Sequence, residues 1–397
     1  MRNRAFGHFG ENLTALFVFG LVSTFLKSKM CIRKSISRYI QNVFAEELNN
    51  EGYKFMAINN SQINKPEFIE QFTGALDHFE EAECLGDDFA AEGINRVFFV
   101  GCGAPHYMMR LLAYWGQKNA VNTDIRVYYS ADLVSQDPAA LDEKTLVILG
   151  SHSGTTRETL DAAEYLRSKP CKTIAITQER SSPLGQSTKL CLPYGKTTQG
   201  YFSAYILAQT LISAFFNEKG QGWKYHQAFK DSLPKLPSVL ADAKEINLAN
   251  AQVQAKLLMD ENLLYVLGAG PMYTTAYVFA SCFLMEMQWM HAHALTVADF
   301  FHGPFEVVDR SIPLLVLIGE DASRGEGERL KRFAAEYAGN SLIYDSRDFE
   351  MKGIHADIRP IVAPFILDSA LTGLVEALAV LRNHPLTTRR YMGKVDY

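Results

Sequence analysis

The sequence predicts an α/β protein made of two doubly wound parallel-sheet domains in tandem, closed by a C-terminal tail. Three observations carry this. Short strands such as RVFFVG (96–101), TLVILG (145–150) and KTIAIT (172–177) are apolar without alternation. Such strands are buried on both faces, as in parallel sheets covered by helices. Longer helical patterns separate the strands, among them TRETLDAAEYLRS (156–168) and EGERLKRFAAEYA (326–338). Finally, the same order of elements occurs twice. RVFFVGCGAPHY (96–107) matches LLYVLGAGPMY (263–273), TLVILGS (145–151) matches PLLVLIGE (313–320), and KTIAIT (172–177) matches SLIYD (341–345). Gly103 to Gly270, Gly150 to Gly319 and Ile174 to Ile343 are nearly equal offsets, the mark of a duplicated unit.

In chain order, residues 1–55 read as an extension that the working protein can dispense with. It holds an apolar run, LTALFVFGLVSTFL (13–26), flanked by Arg2, Arg4 and a basic segment. The run is short of the roughly 20 residues that cross a bilayer, which leaves membrane association as a minor alternative. Met30 and Met56 offer later starts. Residues 56–90 form an N-terminal helical segment, 91–217 the first domain, and 218–262 a polar, helix-prone linker. Residues 263–383 form the second domain and 384–397 the tail.

The totals agree with this plan. The chain has 397 residues, enough for two domains, and its 48% hydrophobic and 21% charged residues suit buried cores. A net charge of −5 leaves no footprint for nucleic acid. Six scattered cysteines (31, 84, 102, 171, 191, 282) form no C-x-x-C pair and read as reduced thiols of a cytoplasmic chain.

Ligands of doubly wound sheets bind beyond the carboxyl ends of the strands. There the first copy has GSHSGTTRET (150–159), in which Ser151, His152, Ser153, Thr155 and Thr156 crowd around Gly154 where a helix begins. Hydroxyls, free amides and the helix dipole suit a phosphate; an ordinary Ser/Thr helix cap is the other reading. The second copy has GEDASRGEGE (319–328), poorer in hydroxyls and richer in acids, which would repel a phosphate.

Two further residues stand out. A helix is expected over TTAYVFASCFLMEMQWMHA (274–292), apolar nearly all round, with Glu286 its only acid. A buried carboxylate has a raised pKa and suits a general base, unless an arginine or backbone partner makes it structural. His302 follows in DFFHGPFEVVD (299–309), where Gly303-Pro304 ends a helix and leaves the imidazole at a cleft. His291 and His293, with Asp299 and His302, offer a weak metal reading; the expectation is no metal and no cofactor.

The S-x-S-G-x-T loop after a buried strand, downstream of strand–G-C-G and in a tandem arrangement, resembles the sugar isomerase (SIS) family of phosphosugar enzymes, whose domains are flavodoxin-like. The resemblance covers about residues 60–397. It implies that Ser151, Ser153 and Thr156 hold the sugar phosphate with His152 beside them. Ala104 and Pro105 stand after G-C-G where the family's synthases have Ser or Thr, so little phosphate contact is expected from the Gly103 loop. MEMQW, FFHGPFE and HPLTTRRYMGKVDY resemble the deglycases of phosphorylated Amadori compounds, namely 6-phosphofructose-aspartate and fructoselysine-6-phosphate deglycases. That implies Glu286 as proton shuttle between C1 and C2 and His302 as ring-opening group, in a homodimer whose site is completed across subunits. Asp299 stands where a Glu is usual. The same resemblance implies that Arg389, Arg390, Lys394 and Tyr397 close over the amine half; a solvated charged tail is the other reading. The rival readings are another phosphosugar isomerase or deaminase, without glutaminase, and a phosphosugar sensor that binds without turnover.

Overall fold

The computed structural model describes residues 63–220 and 225–395, all within one compact unit, Gln62–Tyr397. The 1–55 extension and Tyr397 lie outside the described residues. The first sheet holds β1 (Arg96–Gly101), β2 (Asp124–Tyr129), β3 (Thr145–Gly150), β4 (Lys172–Thr177) and β5 (Leu190–Pro193), in the order β2-β1-β3-β4-β5. The second holds β6 (Leu263–Gly268), β7 (His291–Thr296), β8 (Leu314–Ile318) and β9 (Ser341–Asp345), ordered β7-β6-β8-β9. Every pairing is parallel.

The duplication in the sequence is therefore one of topology. β1, β3 and β4 correspond to β6, β8 and β9, and each sheet sets its first strand between its second and third. Strand order reverses at that point, where sheets of this kind bind their ligands. Each unalternated strand is interior: all of β3 and all of β8 are buried. β7 differs, with both of its histidines exposed, because it is an edge strand.

Two expectations need adjustment. The segment 218–262 is helical, as expected, but it is packed rather than a mere connection. Its long helix, Leu236–Leu258, packs along Arg359–Leu381, burying Leu236, Leu240, Ala251, Ala255 and Leu258 completely. Alanines let the two axes approach, and Asn247 donates from Nδ2 to the Ala370 carbonyl (3.0 Å) and to the Tyr344 hydroxyl (3.0 Å). The end of the chain before the tail is thus part of the core. Ala356–Leu381 is the only described helix long and apolar enough to cross a membrane, and it is buried inside the fold.

The helix expected over 274–292 is shorter and differently wound. An α-helical stretch, Met272–Tyr277, passes into a π-helix, Val278–Met287. It stops because Trp289 adopts φ +53°, turning the chain so that β7 starts at His291. Wide turns of this kind are rare and recur at functional sites.

Candidate active site

Gly150 closes β3 and the hydroxyl-rich loop follows, leading into the helix Arg157–Leu166. Ser151 is buried; its hydroxyl meets that of Thr156 at 2.9 Å and accepts from the Gly154 amide at 3.1 Å. Thr156 is the N-cap of the following helix but makes no capping hydrogen bond, because its hydroxyl is engaged with Ser151. Ser153 and Thr155, exposed, pair hydroxyls at 2.7 Å. The loop turns through Gly154 at φ +69°, where a Cβ would lie 2.3 Å from the Ser182 hydroxyl, so only glycine fits. The result is a rim of hydroxyls at the positive end of a helix, a geometry suited to an anion.

His152 faces the other way. Its Nε2 lies 2.8 Å from Gln178 Nε2 and its Nδ1 2.9 Å from the Tyr194 hydroxyl. An amide N–H can only donate, so Nε2 accepts, Nδ1–H donates, and the ring is neutral. Desolvation of the ring lowers its pKa, consistent with that form. A Cβ at Gly200 would come within 2.2 Å of the imidazole, so that glycine is the seat of the ring. Both nitrogens of His152 are thus committed within the chain.

The matching loop of the second copy is locked by charge. Glu320 pairs with Arg359 (2.9 Å), Arg324 with Asp345 (2.6 Å) and Glu328 (2.8 Å). Asp321 accepts from the Ser323 hydroxyl (3.0 Å) and from Tyr114 of the first half (3.3 Å). Its acids hold the fold together.

Glu286 lies near the end of the π-helix, half-buried on the wall of a cavity of about 820 Å³. The C-terminal tail forms the opposite wall, and Arg389 meets the Glu286 carboxylate at 2.9 Å. Burial raises the Glu286 pKa while Arg389 opposes the rise. Arg389 is itself held, donating to the carbonyls of Leu386 (2.7 Å) and Thr388 (3.0 Å). Arg390, also on the cavity, lies with its guanidinium 4.2 Å from the centre of the Trp289 ring. Cys282, four residues before Glu286, lies by the Ala104 backbone. Burial first, then the charges of Glu286 and Asp368, pushes its thiol up to about 12. The loop of Gly103, which starts the helix Gly103–Asn119, is therefore brought against the helix that carries Glu286.

His302 is not on this cavity. It follows the short helix Val297–Phe300, its amide donating to the Asp299 carbonyl (2.9 Å), at the helix end anticipated from Gly303-Pro304. Asp299 is exposed, its amide capped by the Thr296 hydroxyl at 3.1 Å. Ser151, His152, Ser153 and Thr156 do not line the cavity either. A single chain thus joins Glu286 to Arg389 and Arg390 and leaves His302 apart. Trp289 and His291 also line the cavity; the positive φ of one and the edge position of the other put them there, and both are tertiary facts. Among the described residues no group of three or more His, Cys, Asp or Glu could hold a metal.

Comparisons with known proteins give the class. Residues 93–218 match the model of the SIS domain. The chain is 33% identical over 319 residues to the fructosamine deglycase FrlB of Bacillus subtilis (strain 168), covering 80% of this chain and 97% of that relative. It is 25% identical over 309 residues to the fructoselysine 6-phosphate deglycase of Escherichia coli (strain K12), covering 77% and 88%. A solved Bacillus subtilis phosphosugar isomerase candidate superposes with a TM-score of 0.75 at 31% identity, covering 84% of this chain and 100% of the other. The chain belongs to the SIS domain family. Within it, this is an enzyme of the sugar-phosphate deglycase and isomerase kind.

Proposed function

We propose that the protein cleaves a 6-phosphofructosyl amino acid, a phosphorylated Amadori compound, to glucose 6-phosphate and the free amino acid. The observation that carries this is Glu286: one half-buried carboxylate of raised pKa, lining a tail-walled cavity of about 820 Å³. The similarity to two deglycases supports the substrate class.

Ser151, Ser153 and Thr156 hold the phosphate through hydroxyls and helix amides. Anchoring the far end of the sugar converts encounter into orientation, worth several kcal/mol in favourable cases, on the order of 7 or more. His302, arriving from a second copy of this chain in a homodimer, moves the ring proton and opens the sugar to its C2 ketone. Glu286 takes a proton from C1 as the C2 carbonyl oxygen takes one up, giving the enaminol. The proton held by Glu286 returns to C2 and the nitrogen gives up its N–H proton, offsetting the one taken up at the C2 oxygen, so the C1–N bond becomes an imine. Water adds across that bond, oxygen to C1 and hydrogen to nitrogen. The amine leaves as the new C1 hydroxyl passes its proton to nitrogen and becomes the aldehyde. No redox step occurs and no metal or organic cofactor is invoked.

The test is release of glucose 6-phosphate, coupled to glucose-6-phosphate dehydrogenase, across a panel of 6-phosphofructosyl amino acids. Conversion of fructose 6-phosphate alone, with no cleavage of any panel member, would establish a ketose–aldose isomerase instead.

A further inference from the structure

The amine nitrogen of such a substrate is bonded to C1, the carbon that Glu286 serves. Whatever lies beyond Glu286 in the cavity therefore meets the substituents of that nitrogen. Beyond it stand two arginines, and Glu286 is the only acid on the cavity wall. Arg389 is spent on Glu286. Arg390 is not: no carboxylate pairs with it among the described residues, and its guanidinium lies against Trp289 with its edge N–H groups left to donate. Around it gather Met285, Trp289, Tyr391, Met392 and Val395, apolar side chains left 39% to 62% exposed. A contiguous exposed apolar patch marks a binding surface.

We infer that Arg390 is the specificity residue for the amine half, and that this half is an α-amino acid joined through its own α-nitrogen, with an uncharged side chain. The inference rests on the deglycase reading. In an α-linked substrate the carboxylate sits three bonds from C1, close to where Glu286 acts, and a planar guanidinium binds it through two parallel N–H donors. The side chain then falls among the methionines, whose flexible thioethers accept varied shapes. An ε-linked lysine would place its carboxylate far from C1 and bring an ammonium into a cavity that already holds two guanidinium groups. Like charges in a desolvated site repel, so that substrate is disfavoured.

The experiment compares kcat/KM of the full-length protein for 6-phosphofructosyl-α-leucine, its α-carboxamide and the ε-linked lysine compound, for the wild type and for Arg390→Gln. The wild type should prefer the carboxylate to the carboxamide by tenfold or more and should place the lysine compound last. Arg390→Gln should bring the carboxylate-to-carboxamide ratio to within about twofold, with the loss in KM. A wild type indifferent to the carboxylate, or a variant that keeps the preference, overturns the inference while the deglycase stands. Release of no glucose 6-phosphate from any compound by the wild type overturns the deglycase reading itself, and this one with it.

Discussion

Arg389, on the C-terminal tail, closes its guanidinium onto the carboxylate of Glu286 at 2.9 Å, tying the last segment of the chain to the only acid of a greasy π-helix. Two effects meet at that carboxylate. Burial favours the protonated form and is the larger; the arginine favours the anion. Removing Arg389 leaves burial unopposed. Arg389→Met should therefore move the acidic limb of the kcat/KM profile, which reports ionisation of the free-enzyme base, to higher pH. A limb that stays in place would mean that another group sets it.

Glu286→Gln keeps shape and removes the carboxylate proposed as the base. Turnover should fall by at least a thousandfold, with the circular dichroism spectrum and melting temperature close to those of the wild type. Near-normal glucose 6-phosphate release would end the assignment of Glu286 as the proton shuttle.

His302 is absent from the Glu286 cavity of its own chain. If it acts in the site of a second copy, Glu286→Gln and His302→Ala are each inactive as pure dimers but complement in mixed ones. A mixed dimer has one site free of both changes, so an equal mixture after subunit exchange should recover about a quarter of wild-type activity. A mixture as dead as its parents would show that the two residues do not work across an interface.

The hydroxyl-rich loop after β3 has a different signature if it holds the phosphate. Ser153→Ala removes an exposed hydroxyl from the rim of the helix end without touching the part-buried Ser151–Thr156 pair. The KM for a phosphorylated substrate should rise severalfold or more, with thermal stability unchanged. Equal KM values for variant and wild type would remove Ser153 from the phosphate site.

Asp368 tests the core. It is 3% exposed on the helix Arg359–Leu381, one carboxylate oxygen has no hydrogen-bond partner, and burial lifts its pKa to about 7. Its folded pKa lies above the unfolded one, so its contribution is fully present below about pH 4 and is lost as pH rises through about 7. Asp368→Asn has no such loss. The variant should gain on the wild type between pH 4 and 7, reaching on the order of a few kcal/mol, and gain nothing further at higher pH. Denaturant melts at pH 5 and pH 8 measure it; a difference independent of pH would show that Asp368 is as fully ionised in the folded chain as in the unfolded one.

Much of this molecule was legible because its signals are local. Continuous apolar strands with nearly equal spacing disclosed two parallel sheets, and the structure pairs β1, β3 and β4 with β6, β8 and β9 in the same order. The glycine and hydroxyls after β3 marked a loop at a helix end, since backbone freedom and capping are decided within a few residues. The boundary of the Glu286 helix was not legible. Its end depends on a positive φ at Trp289, which no propensity favours and which the start of β7 demands. Nor was the commitment of His152, whose two nitrogens are claimed by Gln178 and Tyr194, the latter from beyond β5.

The sequence by itself determined the class of fold, the duplication, and the short list of residues able to hold a phosphate or move a proton. These follow from side-chain chemistry and from periods of a few residues. Only the tertiary structure decided which of them share a space: that Arg389 takes Glu286, that Arg390 is left with a free edge over Trp289, and that His302 lies elsewhere. The reason is distance along the chain. About a hundred residues separate Glu286 from the tail, and no local preference encodes that meeting; it follows from packing Leu236–Leu258 and Arg359–Leu381 into one core.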